Sequence, residues 1–338
     1  MRLHPVLGLT LPPLLLLSAC AGSTDATSST PVSAGPTSSA AEPSATYAPF
    51  TADDCGFEVS VDSAPERIVT IKSSATEMVL ALGAGDRIVG TAFSDGPVPQ
   101  EWAAAADGLT ELSDKVPSAE VVLATEPDLV YAGWESNLTA EGAGDRSTLS
   151  GLGVATFVSP AACKEPGYQP EQMTFEEVFA QIEQMGDLLG VPEAAQELVA
   201  AQRAELESIT ADGRGATALW YSSGDDVPYV GAGIGTPQMI MDAVGLTNIA
   251  GSVEDTWTPF SWEQVAQDDP DVIVLVDASW NSAADKKVRL ASNPATANLT
   301  AVVNERYLVV PFAATEAGVR NVSAASDLVA QLAELDLG

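Results

Sequence analysis

Cations are scarce in this 338-residue chain, with 14 Lys and Arg against 47 Asp and Glu. Lys72, Lys164 and Arg320, with Arg146 as a further candidate, fall in segments that read as loops near strand ends. A cation there, backed by Ser73, Ser74 or backbone N–H groups, is chemistry for holding a carboxylate or phosphate. The competing reading of each is a surface charge that balances nearby acids. Aromatic residues are 6% of the chain, yet Phe93, Trp134, Tyr221, Tyr229, Trp257 and Trp280 gather at the same strand exits. Such rings hold a flat heteroaromatic solute through offset or edge contacts. Any one of them read alone is equally a core residue.

Catalytic constellations are harder to build. The chain has one histidine, His4, and it lies in an N-terminal leader. Without it, imidazole-based zinc or manganese sites are disfavoured, as are hydrolase triads and HExxH chemistry. Haem is disfavoured too, although a tyrosine could ligate iron. Asp95, Glu135 and Glu316 could in principle serve a carboxylate-based enzyme, but no nucleophile–base pair is visible. Gly231–Gly235 lacks the GxGxxG spacing and reads as a loop near a cleft entrance. Neither a metal nor a resident cofactor is expected. The net charge of −33 argues against nucleic acid as a partner.

These residues need elements to position them, and short aliphatic runs alternate with helical patterns along the chain. Arg67–Ile71, Arg87–Thr91, Asp128–Tyr131, Gly153–Val158, Thr217–Tyr221, Val272–Val276 and Tyr307–Val310 read as strands. Phe57–Val61 reads as an edge strand or hairpin arm. The alternation predicts parallel α/β lobes, in which ligands collect beyond the strand carboxyl ends. Lys72-Ser73-Ser74 reads as a polar turn, with Ser74 or Thr76 capping a helix over Glu77–Leu82. Pro192–Ile209 is rich in helix formers and opens with Pro at a first-turn position.

Either side of that helix the sequence echoes itself. SAEVVLATEPDLVYAGW (Ser118–Trp134) matches SWEQVAQDDPDVIVLVDASW (Ser261–Trp280), each with a Glu seven residues before a Pro-Asp pair. SATEMVLALGAGDRIVG (Ser74–Gly90) matches GTPQMIMDAVGLTNIAG (Gly235–Gly251). Two echoes in the same order point to duplication. The chain therefore divides into a leader (1–19), a tether (20–50), an N-terminal lobe (51–190), a connecting helix (191–210) and a C-terminal lobe (211–338). One stiff helix between lobes predicts modest closure on binding.

The leader has Arg2 followed by an apolar run, Leu7–Leu17, too short to span a membrane. Leu17-Ser18-Ala19-Cys20 resembles the lipobox of bacterial lipoproteins, which implies cleavage before Cys20, lipidation of its thiol and attachment to the outer face of the cell membrane. The alternative is an ordinary secreted protein cut near Ala19. Between Ala21 and Pro49, 25 of 29 residues are Ser, Thr, Ala, Pro or Gly, a composition with almost nothing to bury. Outside the cell, the two remaining thiols, Cys55 and Cys163, favour a disulfide within the first lobe over free buried thiols.

The stretches PERIVTIKSSATEMVLALGAGDRIVG, AEVVLATEPDLVYAG and SWEQVAQDDPDVIVLV, in that order and spacing, resemble class III solute-binding proteins of ABC importers. That family includes cobalamin, ferric-siderophore and haem binders. The resemblance covers roughly Pro65–Leu335 and implies two Rossmann-like lobes joined by one long helix, with no enzymatic activity. Within the family, GTAFSDGPVP, YAGWESN, CKEPGYQP, LWYSSG and VVPFAATEAGVRN resemble a branch proposed to bind coenzyme F420-0, a deazaflavin with a phospholactate arm. The family resemblance implies cleft positions near Phe93, Trp134, Tyr221 and Trp257. It also implies that Glu120 and Glu263, early in matching helices, each pair with an arginine of the membrane permease. The bland reading of either Glu alone is a solvated carboxylate favoured by the helix dipole. A monomer working with a permease and its ATPase is expected, with cobalamin or a ferric siderophore as the alternative solute.

Overall fold

Continuous aliphatic runs with no polar face must be covered on both sides, and they form the centre of each sheet here. The structure, a computed structural model, describes residues 47–165 and 167–337; Cys20, the leader and nearly all of the expected tether lie outside them. An antiparallel hairpin, β1 (Phe50–Asp54) and β2 (Phe57–Val61), opens the described chain. The first lobe then builds a parallel sheet from β3 (Ile68–Ile71), β4 (Ile88–Ala92), β5 (Glu111–Ser113), β6 (Leu129–Ala132) and β7 (Ala155–Val158). Their spatial order is β5-β4-β3-β6-β7, and every residue of β3 and β6 is buried. Its helices are α1 (Ser73–Ala81), α2 (Ala103–Ala106), α3 (Ala119–Leu123), α4 (Arg146–Gly151) and α5 (Phe175–Leu189).

The long helix α6 (Pro192–Ser208) follows, about 26 Å long at 1.5 Å per residue. It has Pro at its start and packs on α5 where Gly186 meets Ala195; a Cβ at position 186 would come within 2.4 Å of the Ala195 Cβ. From its buried face Gln202 donates to the Val319 carbonyl at 2.7 Å. One helix is thereby fixed to both lobes.

The second lobe has β8 (Thr217–Ser223), β9 (Tyr229–Gly231), β10 (Thr247–Asn248), β11 (Trp257–Pro259), β12 (Val272–Asp277) and β13 (Tyr307–Pro311). Its helices are α7 (Thr236–Val244), α8 (Trp262–Asp268), α9 (Ala283–Ser292), α10 (Thr300–Val303) and α11 (Asn321–Ala333). The parallel set β10-β8-β12-β13 repeats β4-β3-β6-β7, while β9 and β11 extend the sheet antiparallel beyond β8. The echoing segments occupy matching places. In each lobe the Asp of the Pro-Asp pair receives backbone N–H groups near the start of the neighbouring strand. Asp128 takes Glu66 at 2.8 Å and Arg67 at 3.0 Å, and Asp271 takes Thr217 at 2.8 Å.

One local expectation fails. Neither Ser74 nor Thr76 caps α1; the helix starts at Ser73 after Lys72, whose φ is 85°. A carboxylate from the next strand exit, Asp95, accepts the Ser73 N–H at 3.3 Å, so a tertiary partner replaces the local hydroxyl. That backbone conformation costs a non-glycine residue about 1–3 kcal/mol and persists only where surroundings hold it.

Candidate functional site

The strand exits of both lobes meet around a cavity of about 330 Å³. Its aromatic walls are Trp134 after β6, Tyr229 on β9, Trp257 on β11, Trp280 after β12 and Phe312 after β13. Tyr229 and Trp257 are stacked, with centroids 6.2 Å apart and planes 12° from parallel. They sit on paired antiparallel strands as a diagonal pair, Trp257 opposite Gly231 and Tyr229 opposite Pro259, which puts both rings on one face within reach of each other. Trp134 meets Phe312 edge-on at 6.0 Å, and Trp280 meets Phe312 at 5.4 Å. Hydroxyls and charges are interspersed: Ser222, Ser223, Thr236, Thr256, Lys164, Glu135 and Glu316.

Several contacts cross from one lobe to the other around this cavity. Trp134 Nε1 donates to Glu316 at 2.9 Å, Trp280 Nε1 to Asp95 at 3.2 Å, and Lys164 Nζ to Thr256 at 3.2 Å. The Met173 N–H donates to the Ile234 carbonyl at 2.8 Å.

Lys72 has a different place from the one its loop position suggests. It is fully buried, paired with Asp95, and its ammonium lies over the rings of Phe93 (4.1 Å), Trp134 (4.1 Å) and Phe312 (4.6 Å). Burial holds its pKa below the ordinary lysine value against the opposing pull of Asp95. The ammonium is thus saturated by the protein, and Lys72 does not line the aromatic cavity. Gly133 is required beside it, since a Cβ there would stand 2.9 Å from the Lys72 Cβ. Ser73 is buried with its hydroxyl accepting the Asp95 N–H at 2.8 Å; Ser74 is buried too. Phe93 is half-buried beneath Lys72 and edge-on to Trp134 at 5.7 Å.

Arg320 faces a second inter-lobe cavity, of about 420 Å³, and donates to Glu77 at 3.3 Å. Tyr221 and Arg146 are core residues. Tyr221 is fully buried, edge-on to Trp262 at 5.3 Å, and donates to the Gly224 carbonyl at 2.6 Å. Arg146 is buried against Asp54 at 2.5 Å in the first lobe. Of the expected cations, Lys164 alone lines the aromatic cavity.

Phe312, Glu77 and Thr236 were not anticipated. Phe312 and Glu316 follow β13, so the strand-exit rule that selected Trp134 also points to them. Asp95, Glu135 and Glu316, weighed only as catalytic carboxylates, instead take Trp280 Nε1, the Lys164 N–H at 2.9 Å and Trp134 Nε1. Glu120 and Glu263 are exposed in the first turns of α3 and α8, behind the caps Ser118 and Ser261. Cys55 and Cys163 form a disulfide, which pins the segment carrying Lys164 to the hairpin.

Burial raises the Glu77 carboxyl to about 7 despite Arg320, and the Glu316 and Asp54 carboxyls to about 6. These groups bind protons more tightly folded than unfolded, so their stabilising contribution is complete at low pH and lost as pH rises through those values. We expect the unfolding midpoint to rise between about pH 8 and about pH 6. Glu77→Gln is expected to flatten that rise between about pH 7 and pH 8, by no more than about 1 kcal/mol per pH unit. Thermal melts of both proteins across that range check it.

The Periplasmic binding protein family matches residues 68–314, and the chain belongs to that family. It is 26% identical over 289 residues to the uncharacterized ABC transporter substrate-binding lipoprotein YvrC of Bacillus subtilis, covering 83% of this chain and 84% of YvrC. It is 28% identical to a cobalamin-binding protein of Halobacterium salinarum, covering 74% of this chain and 66% of that one. Among solved structures, a periplasmic binding protein from Veillonella parvula superposes with a TM-score of 0.74 at 26% identity, covering 85% of this chain and 98% of that one. An ABC-type Fe3+-hydroxamate transport system structure from Saccharomonospora viridis gives 0.71 at 27%, covering 84% and 98%. The fold is the class III arrangement of two α/β lobes and one connecting helix, and these relatives are binding proteins, not enzymes.

Proposed function

We propose that this protein is the substrate-binding component of an ABC importer and captures a planar, ring-bearing organic solute between its lobes. A deazaflavin of the coenzyme F420-0 kind is the first choice. The observation that carries this reading is the convergence of Trp134, Tyr229, Trp257, Trp280 and Phe312 on one cavity. Its volume is near the lower end of the usual ligand range, about 300–1,000 Å³, which suits a fused ring system better than a substituted corrin. The Cys20 anchor belongs to this proposal, as do the permease and ATPase partners.

Cobalamin is the second reading, and the Halobacterium cobalamin-binding relative favours it. A ferric hydroxamate is a further arm of the same test. Quenching of tryptophan fluorescence by each of the three solutes separates them, because three tryptophans line the cavity. The deazaflavin is expected to bind tightest. Tight binding of cobalamin with none of the deazaflavin overturns the choice of solute.

A further inference from the structure

The matching helices α1 and α7 differ in what their N-termini hold. At α1 the Ser73 N–H is given to the protein's own carboxylate, Asp95. At α7, the nine-residue helix at the matching place in the other lobe, the first residue follows Gly235 with no side-chain cap. Among the described residues, the N–H groups of Thr236 and Gln238 have no hydrogen-bond partner, and the second position is Pro237, which has no N–H. Gly235 and Thr236 both line the aromatic cavity. Gly235 is required there, because a Cβ would stand 2.8 Å from the Thr256 carbonyl oxygen.

The side chains around this helix end point the same way. Thr236 is 5% exposed and Ser222 is 4% exposed; both line the cavity, and neither hydroxyl has a protein partner. Neither hydroxyl oxygen is sealed in the core, so each is open to a hydrogen bond from whatever occupies the cavity. Lys164 brings the cavity's one cation. The cavity's two carboxylates are engaged elsewhere, Glu135 with the Lys164 N–H and Glu316 with Trp134.

We infer that the N-terminus of α7, with the hydroxyls of Thr236 and Ser222, is an anion subsite that takes a carboxylate or phosphate arm of the solute, with Lys164 supplying long-range attraction. Unpaired N–H groups and the positive end of the helix dipole both favour an oxyanion at such a position. Duplication explains the difference between the lobes: one copy keeps an internal anion, and the other leaves the place for a visitor. The inference rests on the proposed binding role, but its test needs no knowledge of the solute.

The experiment titrates the full-length protein, labelled with 15N, with inorganic phosphate and in a second arm with acetate, using chloride as the control. Saturating shifts are expected at the Thr236 and Gln238 amides in at least one arm, with no such response to chloride. Thr236→Asp places a carboxylate at the helix end and is expected to abolish them. Thr236→Val, which keeps the backbone and loses the hydroxyl, is expected to weaken binding by about tenfold. Absence of saturation in both arms overturns the inference, as does a response that persists unchanged in Thr236→Asp. If the amides respond but no ring-bearing solute binds, the subsite stands and only the proposed solute falls.

Discussion

Reversing two charges, Glu120→Arg together with Glu263→Arg, is expected to abolish solute uptake in cells while leaving solute affinity unchanged within about twofold. Both residues are exposed, and each stands one residue into a short helix capped by a serine. The two surroundings are not identical: Glu263 also accepts the Ser261 hydroxyl at 2.7 Å, which holds its pKa below the ordinary carboxylate range. Neither side chain lines the aromatic cavity. Their substitution therefore leaves the binding surface intact and costs only local interactions, the helix-dipole contact of each carboxylate and the acceptor of the Ser261 hydroxyl. An arginine on a permease would meet a guanidinium in place of a carboxylate, losing a geometrically specific pair and gaining repulsion at both feet. Uptake of labelled solute, beside equilibrium binding to the purified variant, checks this. Normal transport by the double variant removes the docking role. Loss of solute binding shows that the substitutions act on the fold instead.

The parts legible in the chain were those governed by local pattern. Aliphatic runs such as Ile68–Ile71 and Val272–Val276 could only be covered strands, and the echoes pair α3 with α8 and β6 with β12. Short strands were missed because their partners, not their composition, make them strands. Thr247–Asn248 pairs with the start of β8 over two residues only, and Trp257–Pro259 contains a proline that edge position tolerates. The site was legible at the strand exits for Trp134 and Trp280, but Tyr229 and Trp257, read in loops, sit on the short strands β9 and β11. It was not legible to the level of which exit residue turns inward. Tyr221 and Phe93 have the same sequence signature, yet one is sealed in the core and the other lies half-buried under a lysine. Lys72 shows the limit best. A lone lysine after a strand reads as a ligand for an anion, but Asp95, 23 residues further on, is brought to it only by folding.

Asp95→Ala is expected to be the most destabilising single substitution near the site, by about 3–5 kcal/mol, because it leaves a buried ammonium without its counter-ion. Lys72 has no exposed surface into which to swing, and its backbone is held at φ 85°, so relaxation toward solvent is closed off. The three rings around the ammonium soften the loss without replacing a full charge. The same substitution removes the acceptor of Trp280 Nε1 and of the Ser73 N–H, so it loosens the contact between the lobes as well as the start of α1. Removing both charges, Lys72→Met with Asp95→Leu, takes away the buried-charge penalty and is expected to restore a large part of the stability, since apolar replacement of a whole buried pair is often neutral. Denaturant unfolding of the two variants beside the parent checks both expectations. If Asp95→Ala costs less than about 1 kcal/mol, the pair is a solvated surface contact in solution. If the double variant is as unstable as the single one, the loss lies in the Trp280 and Ser73 hydrogen bonds, and Asp95 serves mainly as the bolt between the lobes.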